Sequence, residues 1–140
     1  MPKSVPIPSK PNPYPWRSDG HIPTIQLEAF RDLLNDVQIK DRFVFVMTHY
    51  APRLADGMPD THLHGLHNAD EFLEICQHIK YGAILFGHIH YTYRVKLDGL
   101  QSELFCAGSA TMDEREGAWM YELQGKNLIA HQLKWNGKEF

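Results

Sequence analysis

Long apolar runs are missing from this sequence. The longest stretches, such as Phe43-Val44-Phe45-Val46-Met47, fall well short of the roughly 20 residues that cross a bilayer, so no membrane partner is expected. The opening Met1-Pro2-Lys3 has no apolar segment behind it, which argues against a secretory signal and for a cytoplasmic protein. Cysteine is scarce. Cys76 and Cys106 are the only two, one in a predicted helix and one in a predicted strand, and both read as buried free thiols of a reducing compartment. An excess of positive charge is lacking as well. Fourteen Lys and Arg stand against seventeen Asp and Glu, for a net charge of -3, and no basic stripe offers a docking surface for nucleic acid. Disorder is excluded by 43% hydrophobic and 22% charged residues, and 140 residues is the size of one ordinary domain.

Proline and histidine are what the chain has in quantity. Six of the nine prolines fall within the first fifteen residues, at Pro2, Pro6, Pro8, Pro11, Pro13 and Pro15, so residues 1–17 read as a loop or extended arm. Pro8-Ser9-Lys10-Pro11 matches a proline-rich ligand pattern, but such matches are common by chance and a connecting segment is the plainer reading. Residues 18–140 read as the folded part.

A helix is expected over Thr24 to Asn35, with Thr24 as N-cap and Ile25, Leu27, Phe30, Leu33 and Leu34 on its apolar face. The almost wholly apolar run from Arg42 to Met47 suits a strand covered on both faces. A long loop from Thr48 to Leu66 follows, and loops of that length are usually functional or disordered. Asn68 with Glu71 three positions on reads as the cap of a second helix, whose buried face is Phe72, Leu73, Cys76 and Ile79. Gly82 to Phe86 reads as another buried strand, which makes a strand-helix-strand unit with two parallel strands. From Tyr91 the period changes to two. Asp98-Gly99 and Gln124-Gly125-Lys126 mark the turns of two hairpins, over about 91–107 and 119–135.

Both buried strands run into histidine: Val46-Met47-Thr48-His49-Tyr50-Ala51-Pro52 and Leu85-Phe86-Gly87-His88-Ile89-His90. Parallel neighbours end at the same sheet edge, where loops of open α/β sheets bind ligands, so His49 and His88 are expected to meet there. His90, two residues on, would share a face with His88 in extended chain, and Gly87 would let the backbone leave the strand sharply. Imidazole suits Zn, Mn and Fe, and three converging histidines make a ligand set.

These segments resemble the C-terminal motifs of the calcineurin-like metallophosphoesterases. The resemblance rests on His49 with Pro52 after one strand and Gly87-His88-Ile89-His90 after the next. A hairpin and the Gly108-Ser109 stretch then follow, and the likeness runs from about residue 18 to the C-terminus. It implies the C-terminal half of a four-layer α/β/β/α sandwich, with mixed sheets and a hairpin region at the end. It further implies a hydrolase that cleaves phosphodiesters or phosphomonoesters at two divalent metals (Mn, Fe or Zn). His49 and His88 would bind one metal and His90 the other, and His64, followed by Gly65-Leu66, lies where relatives carry substrate-side loops.

The family's N-terminal motifs are absent. No Gly-Asp pair and no Gly-Asn-His occurs, so the residues that would act in proton transfer are unknown and at most one metal is expected in this chain alone. Asp19-Gly20-His21 has the form Asp-x-His, but no apolar strand leads into it, and it reads as a loop. Two explanations fit: a stretch of a longer protein, or a gene that has lost its first half. Two other functions stay open: a non-catalytic remnant kept as a binding module, and a mononuclear zinc protein that uses the three histidines. His62 and His67 read as solvated loop residues, and His21, His78 and His131 as surface or structural. Half a sandwich would expose strand edges and an apolar sheet face, so self-association is expected.

Overall fold

The structure, a computed structural model, describes residues 17–140. The proline-rich arm and its Pro8–Pro11 motif therefore lie outside the described residues, Arg17 excepted. The element order is α1 (Thr24–Asn35), β1 (Phe43–Met47), α2 (Ala69–Cys76), β2 (Tyr81–Phe86), β3 (Tyr93–Val95), β4 (Glu103–Cys106), β5 (Gly117–Gln124) and β6 (Asn127–Lys134). The chain is mixed α/β. A four-stranded sheet runs β1-β2-β4-β3, and β5-β6 forms a separate antiparallel hairpin. As the strand-helix-strand pattern requires, β1 and β2 are parallel, with Phe43 opposite Tyr81 and Met47 opposite Leu85. Strand β4 is parallel to β2 and antiparallel to β3, so the first hairpin extends the sheet. Gly125, at φ +65°, makes the turn of the second.

Alternation along the strands sorts the two faces. Val46, Ile84, Phe86, Leu104 and Cys106 join Leu27 and Leu34 of α1 and Phe72, Leu73 and Ile75 of α2 in one core. The opposite face carries Phe45 and Phe105, which meet the β5-β6 hairpin. Tyr121 stacks near both, at 5.9 and 5.3 Å between ring centres, and Trp119 meets Phe105 at 5.1 Å. Burial pushes the Cys76 thiol up to about 12 and the Cys106 thiol up to about 11, so both are inert free thiols at neutral pH.

Four local expectations are corrected. Pro23, not Thr24, holds the cap position of α1, and its carbonyl accepts from the amides of Gln26 and Leu27. Ile25 and Leu33 face solvent, while Leu27, Phe30 and Leu34 face the core. Asn68 holds the N-cap position of α2, as expected, but makes no cap bond. Its side-chain oxygen accepts from Ile22 N at 3.0 Å and its amide donates to Ile22 O at 2.8 Å, which pins the segment before α1 to the start of α2. Finally, β1 is covered fully on one face and only in part on the other, where Phe45 touches Tyr121 of the hairpin. Met47 is 80% exposed and Phe45 41%, because the hairpin reaches the sheet at Phe105 and does not extend over the end of β1.

An edge strand with open backbone groups and exposed apolar side chains is a pairing surface. We expect sedimentation to show association that grows with protein concentration and that Met47→Lys reduces. A monomer at every concentration, with cooperative unfolding, contradicts this.

Candidate metal centre

The ladder between β1 and β2 continues past both strands. Thr48 N donates to Leu85 O at 3.0 Å and Gly87 N to His49 O at 3.2 Å, so the two chains stay in register up to the histidines. The result is the meeting expected from the sequence: His88 Nδ1 lies 3.2 Å from His49 Nε2. His49 is exposed and His88 half-buried.

Backbone geometry at His88 is unusual. Its φ is +69°, and Ile89 N donates across it to Gly87 O at 2.8 Å, which closes a γ-turn of the strained hand. His90 is left-handed too, at +61°. Gly87, expected to absorb the sharp exit, is not among the positive-φ glycines, so the strain falls on the histidines. Such strain costs on the order of 1–3 kcal/mol per residue and concentrates at functional sites. Because the chain is not extended here, the argument that placed His88 and His90 on one face fails, and His90 is exposed.

The second nitrogen of His88 fixes its tautomer. Nε2 lies 2.9 Å from the His64 carbonyl, and a carbonyl only accepts, so Nε2 carries the proton and Nδ1 presents its lone pair towards His49. Burial, together with the charge of the neighbouring His64, lowers the His88 pKa and favours the neutral imidazole that metals require. His64 has its own support. Its Nδ1 donates to the Asp60 carboxylate at 2.6 Å, and its ring lies 4.2 Å from that of His88, centre to centre. The long loop thus packs against the histidine pair through His64.

Two contributors were not foreseen. Tyr50 stands edge-on to both rings, at 4.9 Å from His49 and 4.6 Å from His88. Its adjacency to His49 was the available signal. Gly20 touches the other side of the Tyr50 ring, and a Cβ there would run into it. Gly20 is held in place by a parallel bridge to Leu66, with Gly20 N donating to Gly65 O at 3.0 Å. Gly20→Ala should therefore displace Tyr50 and cost about 1–3 kcal/mol of stability, read from urea unfolding. A change smaller than the error of the fit would show that the ring moves aside freely.

The remaining candidates are structural. Asp19 is clasped by Arg17 at 2.8 and 3.0 Å and by His67 Nε2 at 2.7 Å. Partial burial raises its pKa, but the Arg17 hydrogen bonds and charge, with help from His67, outweigh that and hold the carboxyl below its ordinary value. His67 is exposed in its loop, as expected, and in addition pins Asp19 to the His62 carbonyl, which lies 2.7 Å from its Nε2. His62, His21 and His78 are exposed, and exposed His131 comes no nearer than 3.9 Å to Glu122.

Can this arrangement hold a divalent cation? Two nitrogens bound to one tetrahedral zinc at about 2.0–2.1 Å stand roughly 3.3 Å apart, close to the His49–His88 separation. The donor pair fits one edge of such a site. Among the described residues, however, no group of three or more His, Cys, Asp or Glu is arranged to hold a metal ion. No protein-family model matches the chain, and no curated protein matches it.

Proposed function

We propose that this chain contributes the histidine half of a metal-dependent phosphoesterase centre, acting on a phosphodiester or phosphomonoester with carboxylates from outside the chain. His49 and His88 would hold one divalent ion, and His90 would serve a second only where further ligands are supplied. A bound divalent ion would act as a Lewis acid on phosphate oxygens and make water acidic enough to attack near neutral pH. The observation that carries the reading is the pair His88 Nδ1 and His49 Nε2 at 3.2 Å, with the other His88 nitrogen engaged by the His64 carbonyl. A metal-bound histidine usually hands its second N–H to such an acceptor, which supports the reading. The strand-end location, the motif resemblance and the half-sheathed sheet all support the same reading, in which the fold is the C-terminal half of the four-layer sandwich. His64 and Asp60 would stand on the substrate side of the centre.

The pair also suits a mononuclear zinc protein, since its nitrogen separation matches one tetrahedral edge and the described residues supply no bridging carboxylate. Hydrolysis separates the readings. A chromogenic phosphodiester is offered to the chain with manganese, beside His88→Ala. Turnover no higher than in the variant is expected from the chain alone. His88-dependent turnover would overturn the claim that the centre is incomplete. Turnover that appears only when a carboxylate-bearing partner segment is added favours the phosphoesterase over the zinc protein.

A further inference from the structure

A second site lies at the opposite end of the sheet from the histidines. A cavity of about 300 Å³ opens where the N-terminal ends of β1, β2 and β4 face the β5-β6 hairpin. Four cationic side chains line it, Lys80, Arg94, Lys96 and Lys126, against the single carboxylate of Glu103. They come from three separate segments (Lys80 before β2, Arg94 and Lys96 on and just after β3, Lys126 in the β5-β6 turn), so the fold brings them together in a chain whose net charge is -3.

Two of the four are partly neutralised. Lys80 pairs with Asp41, outside the cavity, at 3.1 Å, and Arg94 Nε meets Glu103 at 3.3 Å. Lys96 and Lys126 have no carboxylate partner within ion-pair distance among the described residues. The Lys126 ammonium rests instead on the Tyr81 ring, 4.2 Å from its centre, and Lys80 reaches the same ring at 5.4 Å. Tyr81 is thus a platform that gathers two like charges, whose mutual repulsion is only partly offset by Asp41. Counting both carboxylates, the excess is two positive charges.

We infer that this cavity, framed by Lys80, Lys96, Lys126 and Arg94 around Tyr81, is a binding site for a phosphate-type dianion. A phosphate near neutral pH carries a charge that matches the excess, and its oxygens accept charge-assisted hydrogen bonds from ammonium and guanidinium donors. The terminal nitrogens of Arg94, left over from its contact with Glu103 through Nε, can meet two of those oxygens. This inference stands independently of the histidine centre.

Inorganic phosphate is the probe. It is titrated into the metal-free chain with EDTA at low salt, while amide shifts are followed at Tyr81, Gly82 and Lys126. Saturable shifts at those residues are expected. The Lys96→Gln/Lys126→Gln variant keeps the apolar stems, and therefore the fold, and should weaken binding by at least about tenfold. His88→Ala should leave it unchanged. Shifts confined to the His64–His88 region, undiminished binding in the double variant, or no saturable shift would each overturn the assignment.

Discussion

His88→Ala is expected to lower the affinity of the chain for zinc by more than about 100-fold, measured by competition with a chromophoric chelator. Loss of a partner behind a metal ligand typically costs 10–100-fold, so removal of a ligand itself must cost more. His88 is the donor to remove because its second nitrogen is engaged by the His64 carbonyl at 2.9 Å and it is the more buried of the two. His90→Ala should have a much smaller effect, since the left-handed turn at His88 takes His90 off the face the two would share in extended chain and leaves it exposed. A companion variant checks the strain. Alanine at φ +69° is as constrained as histidine, but glycine is not. His88→Gly should be more stable than His88→Ala by about 1 kcal/mol while binding zinc no better. Equal stability would mean the left-handed turn costs nothing.

Phe105→Ala should destabilise the fold by about 3–5 kcal/mol, the usual cost of emptying a buried aromatic site. Phe105 is 1% exposed and lies on the face that carries no helix. Its partners there are Trp119 and Tyr121, both on β5. Trp119 adds one hydrogen bond, from Nε1 to Cys106 O at 2.9 Å. A two-stranded hairpin is marginal by itself in water, so β5-β6 depends on this docking. The variant should therefore show a lower urea midpoint and, in addition, faster proteolysis within residues 117–134. A loss below about 1 kcal/mol would mean the hairpin is held by other contacts.

Much of this could be read in the chain beforehand, because period and length carry strong physical signals. The two helices, the parallel pair β1-β2 and both hairpins follow from spacing and turn chemistry. The meeting of His49 with His88 follows from parallel strands alone. Other features depended on partners no local pattern reveals. Phe43-Val44-Phe45-Val46-Met47 is apolar at every position, so alternation could not say that Phe45 and Met47 face an open side. Asn68 has the type and spacing of a cap, but Ile22, 46 residues earlier, offers its backbone two bonds at once. The parting of His88 from His90 depends on positive φ at non-glycine residues, which side-chain type does not announce. His64 was legible only through family resemblance, and its support from Asp60 becomes visible only once the loop is folded.

The central claim is that His88 Nδ1 and His49 Nε2 share one divalent ion. Long-range proton–nitrogen spectra of the histidine rings during a zinc titration test it most directly. These two nitrogens are expected to shift together and saturate at one zinc per chain, while the rings of His62, His67 and His131 stay unchanged. Saturation at other histidines, or no saturable shift at His49 and His88, would contradict it.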